Sequence, residues 1–304
     1  MNKNFNNART HTQSWYVACK SSAIKIGRAR TVPLLGRKLV IYRTASSSVH
    51  ALDARCPHLG ADLGKGKVVE NRIQCAFHHW EFECDGKCSK APGLNEVPRR
   101  HTKSYPIQEK WGYIWIWNGT EILFELPEIS KEFRVFRMPT QTLRCHPHVM
   151  IANGLDVRHF SALHGMLLKK SGLNEKPPFS IEVTLVGQPL SKTMRFLTGT
   201  FNKDVDASFE TLGGNIACAR VRSPVRFAMI FTGNISKDGH CDTHTIAFLP
   251  KKIFPDFFRA LTSMYILLHD DRRILDDIEF SPSFVETDKP LMKFVEVVNQ
   301  MKTW

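Results

Sequence analysis

Several things are missing from this chain of 304 residues. No apolar run approaches the eighteen or so residues that span a bilayer, so no membrane-crossing helix is expected. The first thirteen residues are polar and Asn-rich with no hydrophobic segment, which excludes a secretory leader and reads as a flexible tail over residues 1–13. There is no Gly-rich dinucleotide fingerprint, so the chain has no site of its own for a nicotinamide or flavin dinucleotide. Lys and Arg outnumber Asp and Glu by 42 to 29, yet no basic block is longer than two residues. That dispersal argues for a solvated surface rather than nucleic-acid binding, and a basic face would also steer an acidic electron-transfer partner. Internal repeats and low-complexity segments are absent. Of eight Cys, Cys19, Cys145, Cys218 and Cys241 are scattered and read as small core residues, while Cys84 and Cys88 read as loop residues. Nothing suggests a disulfide framework, and a reducing, cytoplasmic setting is expected.

What is present is concentrated between Cys56 and His78. Cys56-Pro-His58 is followed, sixteen residues later, by Cys75-Ala-Phe-His78. A structural zinc site usually pairs Cys with Cys and His with His. Here each short loop offers one Cys and one His, so a [2Fe–2S] cluster could take both thiolates on one iron and both imidazoles on the other, the Rieske arrangement. Leu59-Gly60 follows the first loop and Trp80 closes the second. A zinc-stabilised interaction module is the competing reading of the same four residues.

Around this stretch the sequence reads as short strands. Lys38–Arg43 and Val49–Asp53 flank a Ser-rich turn, and Tyr113–Trp117 is a dense β run closed by Asn118-Gly119. Residues 119–140 read as a connection. Strand-like runs recur over residues 180–250, among them Ala228–Thr232 and Thr243–Leu249. Residues 254–280 carry Leu261, Met264, Leu267, Leu268, Ile274, Leu275 and Ile278 at helical spacing, which predicts a long amphipathic helix.

A second constellation lies at Asn153-Gly-Leu-Asp156-Val-Arg-His159-Phe-Ser-Ala-Leu-His164. Two His and a carboxylate can hold Fe(II) and leave positions open for oxygen and substrate. His159 and His164 are five residues apart, which a regular helix would rotate off one face, so an irregular or widened backbone is expected there. The carboxylate is sought among Asp270, Asp271, Asp276 and Asp277.

With these two motifs the chain resembles the Rieske non-haem iron oxygenases over roughly residues 14–300. The resemblance implies an α+β fold: an N-terminal all-β Rieske domain over 14–119, a connection over 120–140, and a helix-grip catalytic domain, an antiparallel sheet crossed by a long helix, over 141–304. It implies Cys56, His58, Cys75 and His78 as cluster ligands and His159, His164 and Asp271 as iron ligands, with Asp270 as the alternative carboxylate. Asn153 and Asp156 fall on the family's Asn and Asp positions, and the latter is expected to join a cluster His of one subunit to an iron-binding His of the next. Ala61 and Phe77 stand where respiratory Rieske proteins carry an extra disulfide. His79 stands where the family usually has Gly, and is expected to be a loop residue. The implied activity is oxidation of a small hydrophobic substrate by O2 through hydroxylation, demethylation or desaturation. Electrons would come from NAD(P)H through a separate reductase or ferredoxin, and the chain would form a homotrimer. A Rieske electron carrier with a non-catalytic second domain is the alternative.

Overall fold

The computed structural model describes residues 4–303 apart from 177, 202, 237, 238 and 252. It divides into two units, one comprising Tyr16–Asn118 and the other Met1–Trp15 together with Gly119–Trp304. The expected α+β organisation is the one observed.

The smaller unit is built from three sheets. β1 (Ser14–Lys20), β9 (Ile107–Lys110) and β10 (Tyr113–Asn118) form one, with β10 in the middle and every one of its residues buried. β2 (Ala29–Leu34), β3 (Arg37–Arg43) and β4 (Val49–Asp53) form the second. The β2–β3 turn places Leu35 and Gly36 at φ 50° and 75°. Two successive left-handed residues match the right-handed twist of a two-residue hairpin. β5 (Lys67–Val69), β6 (Arg72–Gln74), β7 (Glu81–Phe82) and β8 (Cys88–Lys90) form the third sheet, a meander. Its charge at the centre is Glu81, whose side chain is buried but answered by Arg72 at 3.1 Å, Lys90 at 3.3 Å and the Gln74 amide at 3.1 Å. A buried carboxylate is tolerable only with such partners, and these three tie β6, β7 and β8 together.

The larger unit is an antiparallel sheet carrying helices. Its strands are β11 (Phe133–Arg137), β12 (Gln141–Leu143), β13 (Met166–Lys176), β14 (Ser180–Pro189), β15 (Val205–Leu212), β16 (Ile216–Ser223), β17 (Phe227–Ile235) and β18 (Cys241–Pro250). The order is β11-β18-β17-β16-β15-β14-β13, with β12 also on β18. The helices are α1 (Pro147–Asn153), α2 (Val157–Ala162), α3 (Lys192–Leu197), α4 (Phe258–Leu275) and α5 (Lys289–Gln300). Phe294, Val297 and Val298 of α5 join Val149, Ile151 and Ala152 of α1 and Ile181, Val183 and Leu185 of β14 in one core. A second core gathers Met229, Ala247 and Leu249 of the sheet against Ala260 and Met264 of α4.

Three expectations are corrected. The polar N-terminal segment packs rather than frays: Phe5 is buried in the core, and the Asn4 amide donates to the Met301 carbonyl at 2.7 Å. A single aromatic anchor and satisfied backbone outweigh a polar composition. The connection over 120–140 is partly sheet, because Phe133–Arg137 pairs along β18 and buries part of Phe136. The long helix is shorter than its hydrophobic period suggested. Pro255 precedes its regular turns, and at the other end Arg144 Nε donates to the Asp276 carbonyl at 2.9 Å, closing a helix terminus that otherwise lacks partners.

Candidate metal centres

The two cluster loops are built alike. In the first, Cys56 N–H donates to Ala61 O at 2.9 Å and Gly60 N–H to Cys56 O at 2.8 Å. In the second, Cys75 N–H donates to Trp80 O at 2.8 Å and His79 N–H to Cys75 O at 3.1 Å. Gly60 has φ 76° and His79 φ 57°, so His79 occupies the second loop's counterpart of Gly60. Its left-handed backbone explains why Gly would be favoured there. Both Cys are buried, while His78 and Phe77 reach the surface.

The rings are positioned by their neighbours. His58 stacks parallel on Trp80 at 4.2 Å between centroids and meets His78 edge-on at 4.6 Å. The Nδ1 atom of His58 is buried without a hydrogen-bond partner. An orphaned imidazole nitrogen inside a protein is costly unless something binds it, and a metal does. Burial pushes the Cys56 thiol up to about 11, and a bound metal cation would offset this by favouring the thiolate. Among the described residues, only one group, elsewhere in the chain, brings three donor atoms within 4.8 Å of one another; no three of these four do. A single zinc ion needs all its donors that close, whereas two irons share them out. The donor set therefore fits a [2Fe–2S] cluster.

The gathered group is His159, His164 and Asp271. Asp271 Oδ1 lies 3.0 Å from His164 Nε2 and 3.7 Å from His159 Nε2. His159 sits on α2, but α2 ends at Ala162 and His164 falls beyond it, followed by Gly165 at φ 58°. The five-residue spacing is accommodated by ending the helix rather than by widening it. Asp271 comes from the last turns of α4. Asp270 stands 3.8 Å from the other nitrogen of His164, Nδ1, and the structure does not bring it to His159. Asp277 lies on the surface against Arg144 at 3.5 Å. Burial keeps His159 below its ordinary pKa, opposed by Asp271. Two imidazoles and a carboxylate, all half-buried, fit a mononuclear Fe(II).

Asp156 caps α2: its carboxylate accepts from Arg158 N–H at 2.9 Å and His159 N–H at 3.3 Å. Its backbone carbonyl faces His159 Nδ1, which turns Nε2 toward Asp271. Asn153 is the last residue of α1, half-buried, and its carbonyl accepts from Asp156 N–H at 3.2 Å.

Two cavities flank the triad. One, of about 140 Å3, is lined by His164 and by apolar side chains such as Phe160, Leu168, Leu185 and Met229. The other, of about 630 Å3, is lined by Asp271 and Asn153 with Gln141, Thr245 and Arg272. Phe209 borders both. Its ring rests where a side chain on Gly154 would be, 2.2 Å from an added Cβ. Phe209 and Gly154 escaped the sequence reading, since alternation on β15 marks a buried face without saying what it borders. The Asp156 carbonyl escaped it too, because a backbone atom has no signature.

Residues 14–106 match the Rieske [2Fe-2S] domain family. The chain is 38% identical over 174 residues to cholesterol 7-desaturase of Drosophila melanogaster, a match covering 54% of this chain and 40% of that protein. It is 32% identical over 172 residues to aminopyrrolnitrin oxygenase PrnD of Pseudomonas fluorescens, covering 50% and 46%. The matches thus span less than half the length of these relatives. The fold extends further: a crystal structure of apo dicamba monooxygenase superposes with a TM-score of 0.70 over 95% of this chain and 97% of its own, at 18% identity. Residues 14–106 thus form a Rieske [2Fe-2S] domain, and over nearly its whole length the chain shares its fold with that crystal structure.

Proposed function

We propose that this protein is an oxygenase component that oxidises a small hydrophobic molecule with O2, using electrons from a separate reductase or ferredoxin. The observation that carries this reading is the convergence of His159, His164 and Asp271 beside an apolar cavity in a chain that also has a Rieske domain. An electron carrier has no use for such a triad. Cys56, His58, Cys75 and His78 would hold the cluster, and the triad would hold the Fe(II). Bound there, the iron supplies O2 activation, and the protein supplies position and dryness. Asp156 fixes the His159 ring through its carbonyl, Trp80 fixes that of His58, and the apolar walls around His164 exclude water from the reacting centre. The names of the relatives, a desaturase and an oxygenase, are compatible with hydroxylation, demethylation or desaturation.

The reading extends to a head-to-tail homotrimer in which Asp156 accepts from His78 of the neighbouring subunit. A carboxylate has about four acceptor sites and two N–H groups engage one of its oxygens here, so capacity for a further donor remains. Asn153, on the cavity wall beside Asp271, would order the polar side of the site.

Metal analysis tests the core of this. Three irons per chain are expected, and His159→Ala should lose one of them together with turnover while keeping the cluster spectrum. Zinc in place of iron would overturn the reading. Asp156→Asn should keep both metals and normal reduction of the cluster yet stall product formation. Trimers mixed from Cys56→Ala and His159→Ala subunits should regain partial activity, and inactive mixed trimers would sink the bridging role.

A further inference from the structure

Two segments of the larger unit put apolar side chains into water beside the first cavity. The stretch between β14 and β15, which contains α3, exposes Leu190, Phe196, Leu197 and Phe201, and the approach to α4 exposes Phe254 and Phe258. Phe254 is 81% exposed and Phe196 67%. The segments are neighbours. Phe196 and Phe201 meet edge-on at 6.0 Å, and the Arg259 guanidinium lies 5.8 Å from the centre of the Phe201 ring. Met194, Thr198 and Thr200 of the first segment and Ser263 of α4 also line the apolar cavity.

The surrounding charge is mostly positive. Residues 189–203 and 251–259 contain six Lys or Arg and a single acid, Asp256. Apolar side chains standing among Lys, four of those six cations, are unlike the centre of a protein–protein interface, where Lys is depleted. They match a surface that rests on a bilayer, with rings among the acyl chains and long cationic side chains reaching back to the headgroups. Anionic headgroups add about 1 kcal/mol per basic residue at the surface.

From this patch we infer that the protein docks peripherally on anionic membranes through Phe196, Phe201, Phe254 and Phe258. No described helix is long and apolar enough to cross a membrane, and docking of this kind needs none. Because the segment that carries Phe196 and Phe201 also walls the cavity, an apolar substrate would enter from the lipid; that consequence alone rests on the oxygenase reading above.

The test is sedimentation of the full chain with phosphatidylcholine vesicles, with and without phosphatidylserine. Binding should require phosphatidylserine and weaken with added salt, as screened attraction does. Phe196→Glu combined with Phe254→Glu should lower the vesicle partition coefficient on the order of tenfold or more, since two buried rings are replaced by charges. Its circular-dichroism spectrum and thermal melt should stay unchanged, which shows that the larger unit remains folded. Lys192→Glu with Lys203→Glu should weaken binding without abolishing it. The His159→Ala chain should bind vesicles as the parent does, which separates membrane docking from oxygenase chemistry. No binding to phosphatidylserine vesicles, or equal binding by the double Phe variant, would overturn the inference. So would a self-association of the parent that the double Phe variant abolishes, which would make the patch a contact between copies.

Discussion

The two candidate metal centres are assembled in opposite ways. The cluster ligands come from two loops, one after β4 and one between β6 and β7, each closed by the same pair of backbone hydrogen bonds, and every ligand lies within 23 residues of the others. The triad takes two ligands from the end of α2 and the third from α4, 107 residues beyond His164. The first centre is held by local geometry. The second exists only when the sheet, α1, α2 and α4 have packed. The cluster should therefore survive damage that the iron site does not.

The sharpest contrast comes from Cys56→Ala and His159→Ala. The first should abolish the cluster absorption and destabilise the smaller unit, whose core includes Cys56 and Cys75. The second should leave that absorption intact and remove only the mononuclear iron. A loss of both signals in the His159 variant would mean that the centres are not independent.

Next in size is the helix that carries the third ligand. Asp271→Ala should weaken iron binding by more than about 100-fold, beyond what loss of a supporting residue costs. Asp277→Ala, at an exposed acid paired only with Arg144, should change stability by no more than about 0.5 kcal/mol. Iron titration and thermal melts of the two variants decide it, and the reverse ranking would move the ligand along the helix.

Acid should separate the units. His146 and His148 are buried beneath the N-terminal segment, with Asn6 N–H donating to His148 Nδ1 at 3.2 Å. Burial holds His146 at about 4, against 6.5 ordinarily, with His11 as a further repelling group, and burial lowers His148 as well, with His146 and His11 repelling it. Both stay neutral in the fold while the unfolded chain takes up protons as the pH drops through 6.5. Stability is therefore full above about 6.5 and falls toward 4, by about 3 kcal/mol for His146 alone. Chemical denaturation at stepped pH should show the larger unit failing over that window, and a flat profile would refute it.

Two smaller effects probe local design. Asp156→Ala removes a helix cap and should cost about 1 kcal/mol, whereas Asp156→Asn keeps an acceptor and should cost less. At the loop counterpart of Gly60, His79→Gly should stabilise the smaller unit by up to about 1 kcal/mol, because it relieves a left-handed backbone. A destabilised His79→Gly would show that the side chain has a contact of its own.

The same contrast sets how much could be read from the sequence. The cluster loops were legible because ligand type and spacing are both local. His159 and His164 were legible as residues, yet how they converge was not: the helix stop between them is a backbone event. The resemblance alone favours Asp271 over Asp270, and the structure adds that its carboxylate is the one gathered with both histidines. The ordered N-terminal segment was misread because Phe5 is one anchor in a polar stretch, and its binding site is formed by residues near position 300. Exposed Phe196 and Phe254 were invisible as a patch, because strand and helix periodicity predict burial and not which face is left uncovered.

The smaller unit is an insertion: the chain leaves the larger unit after Trp15 and returns to it at Gly119. Thr12 bridges to Thr303, and Gln13 N–H donates to the Lys302 carbonyl at 3.0 Å. On a ribosome these pairings cannot form until residues 302 and 303 have been made. The inserted unit, complete by residue 118, is free to fold while most of the chain is still to be synthesised. Cluster delivery can begin on the nascent polypeptide, whereas the iron site must wait until Asp271 has emerged, 107 residues after His164.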